Sequence, residues 1–249
     1  MLIIDGHTHY FSRLAYMKGL SGQEFADGLR ARGVHRAVVF TLSGFFAGRY
    51  RECNDELARL VDSYPDLLRA FCSVDPRDER GAIAELRRCV RDLGMLGVKF
   101  HNWLQGICAI DDAMFPIVEE AAELGVPLLF HDGTPPYATS LQIASLAARY
   151  PSATIILGHS GNTDFWRQAI HAARRHPNII LSACTSAPMS GLRRMVEEVG
   201  AERMVWGSDY PFGDAFEYLL DKVLTLDVSD EEKESILSGT MLRLLPGLR

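Results

Sequence analysis

The sequence predicts an α/β protein: a single-domain (β/α)8 barrel, the TIM-barrel architecture, spanning residues 1–249 with one extra helix after the last strand. Three observations carry this. Eight short runs rich in Val, Ile, Leu and Phe recur at roughly 25–35-residue intervals. The stretches between them place apolar residues at the three- and four-residue spacing of a helix. A chain of 249 residues, 47% hydrophobic, has the size of one such barrel and can bury a large core.

The strand runs are LIIDGH near residue 4, AVVFTL near 39, LLRAFCSV near 71, LGVKFH near 98, VPLLFH near 129, TIILGH near 156, IILSAC near 181 and RMVWGSD near 205. Their near-continuous apolar character is that of parallel strands covered on both faces. Between them, Leu57, Leu60, Val61 and Tyr64 run up to Pro65, and Ile143, Leu146, Ala147 and Tyr150 run up to Pro151. Each proline ends a helical pattern. Ile83, Leu86, Val90 and Leu93 precede Gly94, and Leu192, Met195, Val196 and Val199 precede Gly200, both glycines reading as C-terminal stops. After the eighth run come Phe216, Leu219, Leu220 and Val223, then Ile236, Leu237, Leu244 and Leu245. The last set predicts a helix packed under or beside the barrel. No linker, repeat or low-complexity tract divides the chain.

Charge narrows the function classes. A net charge of -6 offers nothing to nucleic acid or an anionic membrane surface, so a small-molecule substrate is expected. The N-terminus has no basic segment followed by an apolar one, and no run of about 18 apolar residues occurs, so a cytoplasmic protein is expected. Cys53, Cys72, Cys89, Cys108 and Cys184 are odd in number and lack CxxC spacing, which fits reduced thiols. Homo-oligomerisation is left open.

The chemistry lies at the strand ends. His7 and His9, one residue apart on a strand, point the same way and can grip one cation. His131, His159 and Asp209 end the fifth, sixth and eighth runs. In a parallel barrel all these ends converge on one mouth, so five metal-competent side chains are brought together. Only His35, His171 and His176 fall away from strand ends.

The DGHTH, FHDG, LGHSG and GSDYPF elements resemble the amidohydrolase superfamily, more narrowly its amidohydrolase-2 branch of hydrolases, lactonases, hydratases and nonoxidative decarboxylases. The resemblance covers nearly the whole chain, including a terminal helix in which Gly239-Thr240-Met241 stands where the branch usually has Gly-Asn-Ala. It implies that His7, His9 and His131 are neutral metal ligands. Asp209 is then the last ligand or the group that takes a proton from the metal-activated water, and His159 an acid/base partner. Zn2+ is the expected ion, with Mn2+ or another divalent metal as alternatives; water on such a cation ionises near neutral pH.

Lys99 and His101 share a face of the fourth strand. In some amidohydrolases a carboxylated lysine there bridges two metals, with the sixth-strand histidine, here His159, on the second ion; in the one-metal branch such residues orient substrate. One ion is favoured, because an unmodified Lys99 ammonium repels a neighbouring cation. Arg49 and Arg51 after the second strand are candidates for a substrate carboxylate, and Trp103 and Tyr137 for pocket walls. Cys184 reads as a small buried strand residue. The leading function is hydrolysis of a small ester, lactone or amide. Nonoxidative decarboxylation of a small unsaturated or aromatic acid is the alternative, and a catalytically inactive binding barrel the reading from another class.

Overall fold

A computed structural model describes residues 1–14, 17–212 and 215–248. All eight anticipated strands form: β1 (Ile4–Tyr10), β2 (Arg36–Thr41), β3 (Leu68–Ala70), β4 (Val98–Phe100), β5 (Leu128–Phe130), β6 (Ile155–Leu157), β7 (Ile179–Ser182) and β8 (Met204–Val205). Neighbours pair in parallel, β1 to β2 to β3 and β4 through β8. Two seams close the cylinder. Cys72 bridges to Val98, and the Gly6 amide donates to the Trp206 carbonyl at 2.9 Å with a further bridge between Thr8 and Tyr210. The eight strands therefore make a barrel.

A helix follows each strand: α1 (Gly22–Ala31), α2 (Tyr50–Ser63), α3 (Glu79–Arg91), α4 (Phe115–Glu123), α5 (Ser140–Arg149), α6 (Asn162–Arg175), α7 (Met189–Val199) and α8 (Ala215–Leu224). Capping boxes start α1 at Ser21 with Glu24 and α5 at Thr139 with Gln142. Gly94 lies just beyond α3 at φ 65°, the left-handed stop its position predicted.

Strand alternation sorts the core into two shells. Ala37, Val39, Val98, Phe100, Leu128, Phe130, Ile155 and Leu157 face the helices. Val38, Phe40, Phe71, Leu129, Ile156, Ile180 and Val205 fill the interior with Ile4. Met241, Leu245 and Leu248 join that interior cluster, so the terminal segment packs under the barrel as anticipated. It is not one regular helix: Asp230–Glu234 and Thr240–Leu244 flank a π-helical stretch, Ser235–Gly239. A short hairpin and two short helices, among other small elements, were not anticipated. Arg13–Leu14 pairs antiparallel with Met17–Lys18 after β1, and the short helices Ser43–Ala47 and Asn102–Gln105 follow β2 and β4. They are too short for a periodic signal. No helix among the described residues is long and apolar enough to cross a membrane.

Candidate metal centre

The register of β1 shifts against β2 between Asp5 and Thr8, the stretch that carries His7. His7 and His9 end up against Asp209: His9 Nε2 lies 3.0 Å and His7 Nε2 3.5 Å from the same oxygen, Oδ1. Phe40 from β2 packs edge-on against both imidazoles. Asp209 is held at φ 63°, a left-handed conformation uncommon for a side-chain-bearing residue. Its amide donates to the His7 carbonyl at 2.9 Å, and the His9 amide donates to the Tyr210 carbonyl at 2.7 Å, so β1 itself sets this backbone. Behind them the Asp5 carboxylate accepts from the His7 amide at 3.1 Å, the Ser208 amide at 3.0 Å and the Ser208 hydroxyl. Burial pushes Asp5 up to about 7 despite those donors.

On the opposite rim His159 and His131 meet, Nε2 to Nδ1, at 2.9 Å, and His131 stacks on His101 with centroids 3.8 Å apart. The tautomers follow from the partners. His159 Nδ1 lies 2.9 Å from the Cys184 carbonyl, which can only accept, so Nδ1 carries the proton and Nε2 accepts from His131 Nδ1. That leaves His131 Nε2 as a bare lone pair. Asp132, next in sequence, accepts from the His159 and Gly161 amides at 2.8 and 2.7 Å and from the Ser140 hydroxyl at 3.0 Å, tying the ends of β5 and β6 to α5. Lys99 is fully buried inside β4, its Nζ 3.0 Å from His7 Nε2 and 4.9 Å from the centre of the Phe40 ring.

Electrostatics prepare this cluster for a cation. Burial, reinforced by neighbouring cationic groups, holds His7 and His131 well below the ordinary histidine range. Burial likewise lowers His9, His101 and His159, with Asp209 opposing. Burial also lowers Lys99 to about 7. For Asp209 burial acts upward but is outweighed by the His9 hydrogen bond and the cationic Lys99 nearby, so the carboxylate stays ionised far below its usual range. Neutral imidazoles beside an ionised carboxylate are the donor set a divalent cation requires. The ligand atoms of His7, His9 and Asp209 lie within 4.8 Å of one another, so these residues fit such an ion.

Two cavities open on the cluster and share His131 and Asp209. One, of about 430 Å³, is walled by Leu42, Phe46, Trp103, Leu104 and Phe212, with His9 and His101 at its floor. The other, of about 280 Å³, is lined by His159, Asn162, Cys184, Thr185, Ser186, Tyr218 and Leu219. Trp103 lines the first of them. Arg51 does not: its guanidinium is turned to Glu85 at 3.2 Å, on a separate groove between α2 and α3. Arg49 is exposed at the start of α2, and Tyr137 is half-buried; neither lines the two cavities. A buried acid partner explains Arg51, which strand-end position alone could not reveal. Asp5, Asp132 and Ser208 had a signal in plain view, since each sits in one of the DGHTH, FHDG and GSDYPF elements. Phe46 and Tyr218 had none.

Comparison with known proteins agrees with this geometry. The chain is 23% identical over 242 residues to a 2-keto-4-carboxy-3-hexenedioate hydratase of Sphingobium sp., covering 79% of this chain and 71% of that one. It is 25% identical over 233 residues to a 2-amino-3-carboxymuconate-6-semialdehyde decarboxylase of Dictyostelium discoideum, covering 77% and 65%. A dihydroxybenzoic acid decarboxylase of Polaromonas sp., crystallised with manganese and the inhibitor 2-nitroresorcinol, shares its fold at a TM-score of 0.77 and 19% identity over 100% of this chain and 98% of that one. The amidohydrolase family model matches residues 4–247. The chain belongs to the amidohydrolase-2 branch of the amidohydrolase superfamily.

Proposed function

We propose that this protein is a divalent-metal-dependent enzyme acting on a small, planar, unsaturated or aromatic carboxylic acid, and that it removes the carboxylate as carbon dioxide. The observation that carries this is the apolar lobe: Phe46, Trp103 and Phe212 wall a cavity whose floor is the His/Asp cluster itself. A flat conjugated ring suits that lobe, and relatives act on carboxylated substrates of that kind. His7, His9, His131 and Asp209 would hold one ion, Zn2+ or Mn2+, whose positive charge binds and polarises the substrate's oxygens.

The chain's own groups do the rest. The lobe holds the ring and keeps water from the carbon that must be protonated. Asp209, bordering both cavities, receives and returns a proton. His159, held in one tautomer by the Cys184 carbonyl, keeps His131 oriented, and exchanges a proton with substrate or product once substrate takes the place of His131 at its Nε2. As carbon dioxide leaves, the bonding electron pair stays on the ring carbon and a proton takes its place. Lys99, in this one-ion reading, stays unmodified, its Nζ against the same His7 nitrogen that faces Asp209.

Hydrolysis of a small ester, lactone or amide is a second reading, favoured by Asp209: an ionised carboxylate at the cavity border is placed to take a proton from attacking water. Incubating metal-loaded protein with panels of hydroxybenzoates and unsaturated diacids, and of lactones and esters, separates the two. Carbon dioxide release from the acids is the expected result. Titratable acid from the second panel alone overturns it in favour of hydrolysis, and turnover in neither supports a binding barrel.

A further inference from the structure

Cys184 ends β7 beside the cluster, and it alone among the five cysteines lines either cavity at the mouth. Its Sγ lies 3.7 Å from His159 Nδ1, and the ligand atoms of His7, His159 and Cys184 all fall within 4.8 Å of one another. A tetrahedral ion with metal–sulfur and metal–nitrogen bonds of about 2.3 and 2.0 Å sets sulfur and nitrogen roughly 3.5 Å apart. The observed spacing is close to that before any ligand has moved. His7 also belongs to the His7–His9–Asp209 group, so the two sets share one imidazole.

We propose that the centre has two seats: an oxygen-containing seat at His7, His9 and Asp209, and a sulfur-containing seat at His7, His159 and Cys184 that takes a thiophilic divalent cation such as Cd2+, Co2+ or Zn2+. Softness sorts the ions between them. Mn2+ and Mg2+ prefer the carboxylate side, whereas thiolate selects ions with high sulfur affinity. Entry into the sulfur seat releases the Cys184 thiol proton to solvent, breaks the hydrogen bond from His159 Nδ1 to the Cys184 carbonyl, and moves the His159 proton from Nδ1 to Nε2 so that the ring stays neutral, the His131 proton moving in turn from Nδ1 to Nε2. The proposal concerns which ion sits where, and holds whether the bound substrate is decarboxylated or hydrolysed.

The test uses the full chain stripped with a chelator and reloaded with Co2+. The wild type is expected to show a near-ultraviolet sulfur-to-cobalt charge-transfer band that Cys184→Ser loses while retaining the visible bands of nitrogen- and oxygen-bound cobalt. Competition titrations give a second measurement: Cys184→Ser is expected to weaken Cd2+ binding at least tenfold and to change Mn2+ binding less than twofold. Bound cobalt without the sulfur band, or a band that survives in Cys184→Ser, overturns the sulfur seat and leaves the carboxylate centre standing. Equal weakening of Cd2+ and Mn2+ overturns it as a general loss of structure. Absence of any bound cobalt overturns both the seat and the metal centre on which the proposed function rests.

Discussion

The two levels of the barrel interior are built from the same eight strands and do opposite things. Below, Val38, Phe71, Leu129, Ile156, Ile180 and Val205 fill the cylinder with Met241 and Leu245 plugging the far end. Above, the strand ends present His7, His9, His101 and His159, all buried, with His131 and Asp209 half-buried beside them. The apolar layer is a cause of the upper layer's chemistry, because desolvation from beneath is what moves its histidines off their ordinary values. Stability and function are thus separated along the strand axis over a few ångströms. Lys99 is the exception, a cation placed among the interior residues of the lower layer.

The largest expected contrast comes from one substitution in each layer. His7→Ala removes a residue common to both candidate ligand sets, so elemental analysis should find bound metal falling from about one per chain to near zero, with turnover lost by roughly 100-fold or more. Leu129→Ala instead opens a cavity in the packed layer and should lower unfolding free energy by about 2–5 kcal/mol in denaturant titration, with metal content unchanged. Metal loss from a folded Leu129→Ala protein would break the separation of layers.

Lys99→Met sharpens the comparison by making the exception apolar. Holding a lysine near 7 instead of 10.5 costs several kcal/mol at neutral pH, at about 1.4 kcal/mol per unit. Part is returned through the contacts Nζ makes with His7 and Phe40. The substitution should therefore raise apoprotein stability by about 1–3 kcal/mol and leave one metal per chain. Halving of a two-ion content would instead mark Lys99 as a bridging ligand.

The pH profile separates the layers by sign. Histidines lowered in the folded state bind fewer protons than in the unfolded chain, so their contribution is present above about 6.5 and lost as pH falls. Asp5, raised from 3.8 to about 7, does the reverse: its contribution is present below about 4 and is lost as pH rises through 7. Five histidines outweigh Asp5 and the likewise raised Asp132, so apoprotein stability should climb between pH 5 and 7. Asp5→Asn should steepen that climb by about 1 kcal/mol per pH unit, provided its amide keeps the Ser208 contact. A climb unchanged in Asp5→Asn would place the Asp5 proton elsewhere.

The barrel was legible because each of its strands is buried on both faces, and that burial writes apolar runs at regular intervals into the sequence. The strand-end cluster was legible for a related reason: parallel strands turn sequence-distant ends such as His9 and Asp209 into neighbours, so position within a run is enough. Arg51 shows where this fails. Its partner Glu85 lies on the next helix unit, and nothing in the local pattern says which way a long side chain turns. Phe46 and Tyr218 were invisible for the same reason, since loop and helix faces at the mouth follow no period.

The smallest stability effect belongs to the outermost level, and it separates packing from recognition. Trp103 is 57% exposed although it walls the apolar lobe, and its ring lies 6.1 Å from that of His101. A residue so exposed contributes little to folding, so Trp103→Ala should move unfolding free energy by no more than about 0.5 kcal/mol. A flat substrate ring would cover that indole face in the bound state, and such aromatic contacts are worth about 0.5–1.5 kcal/mol beyond area burial. Steady-state kinetics should then show KM rising roughly 3- to 10-fold for an aromatic acid and far less for a small aliphatic ester, with kcat nearly constant. Equal effects on both substrates would mean that the lobe merely shields the centre from water. A fall in kcat with KM unchanged would move Trp103 from ring binding to alignment of the carbon that gains the proton.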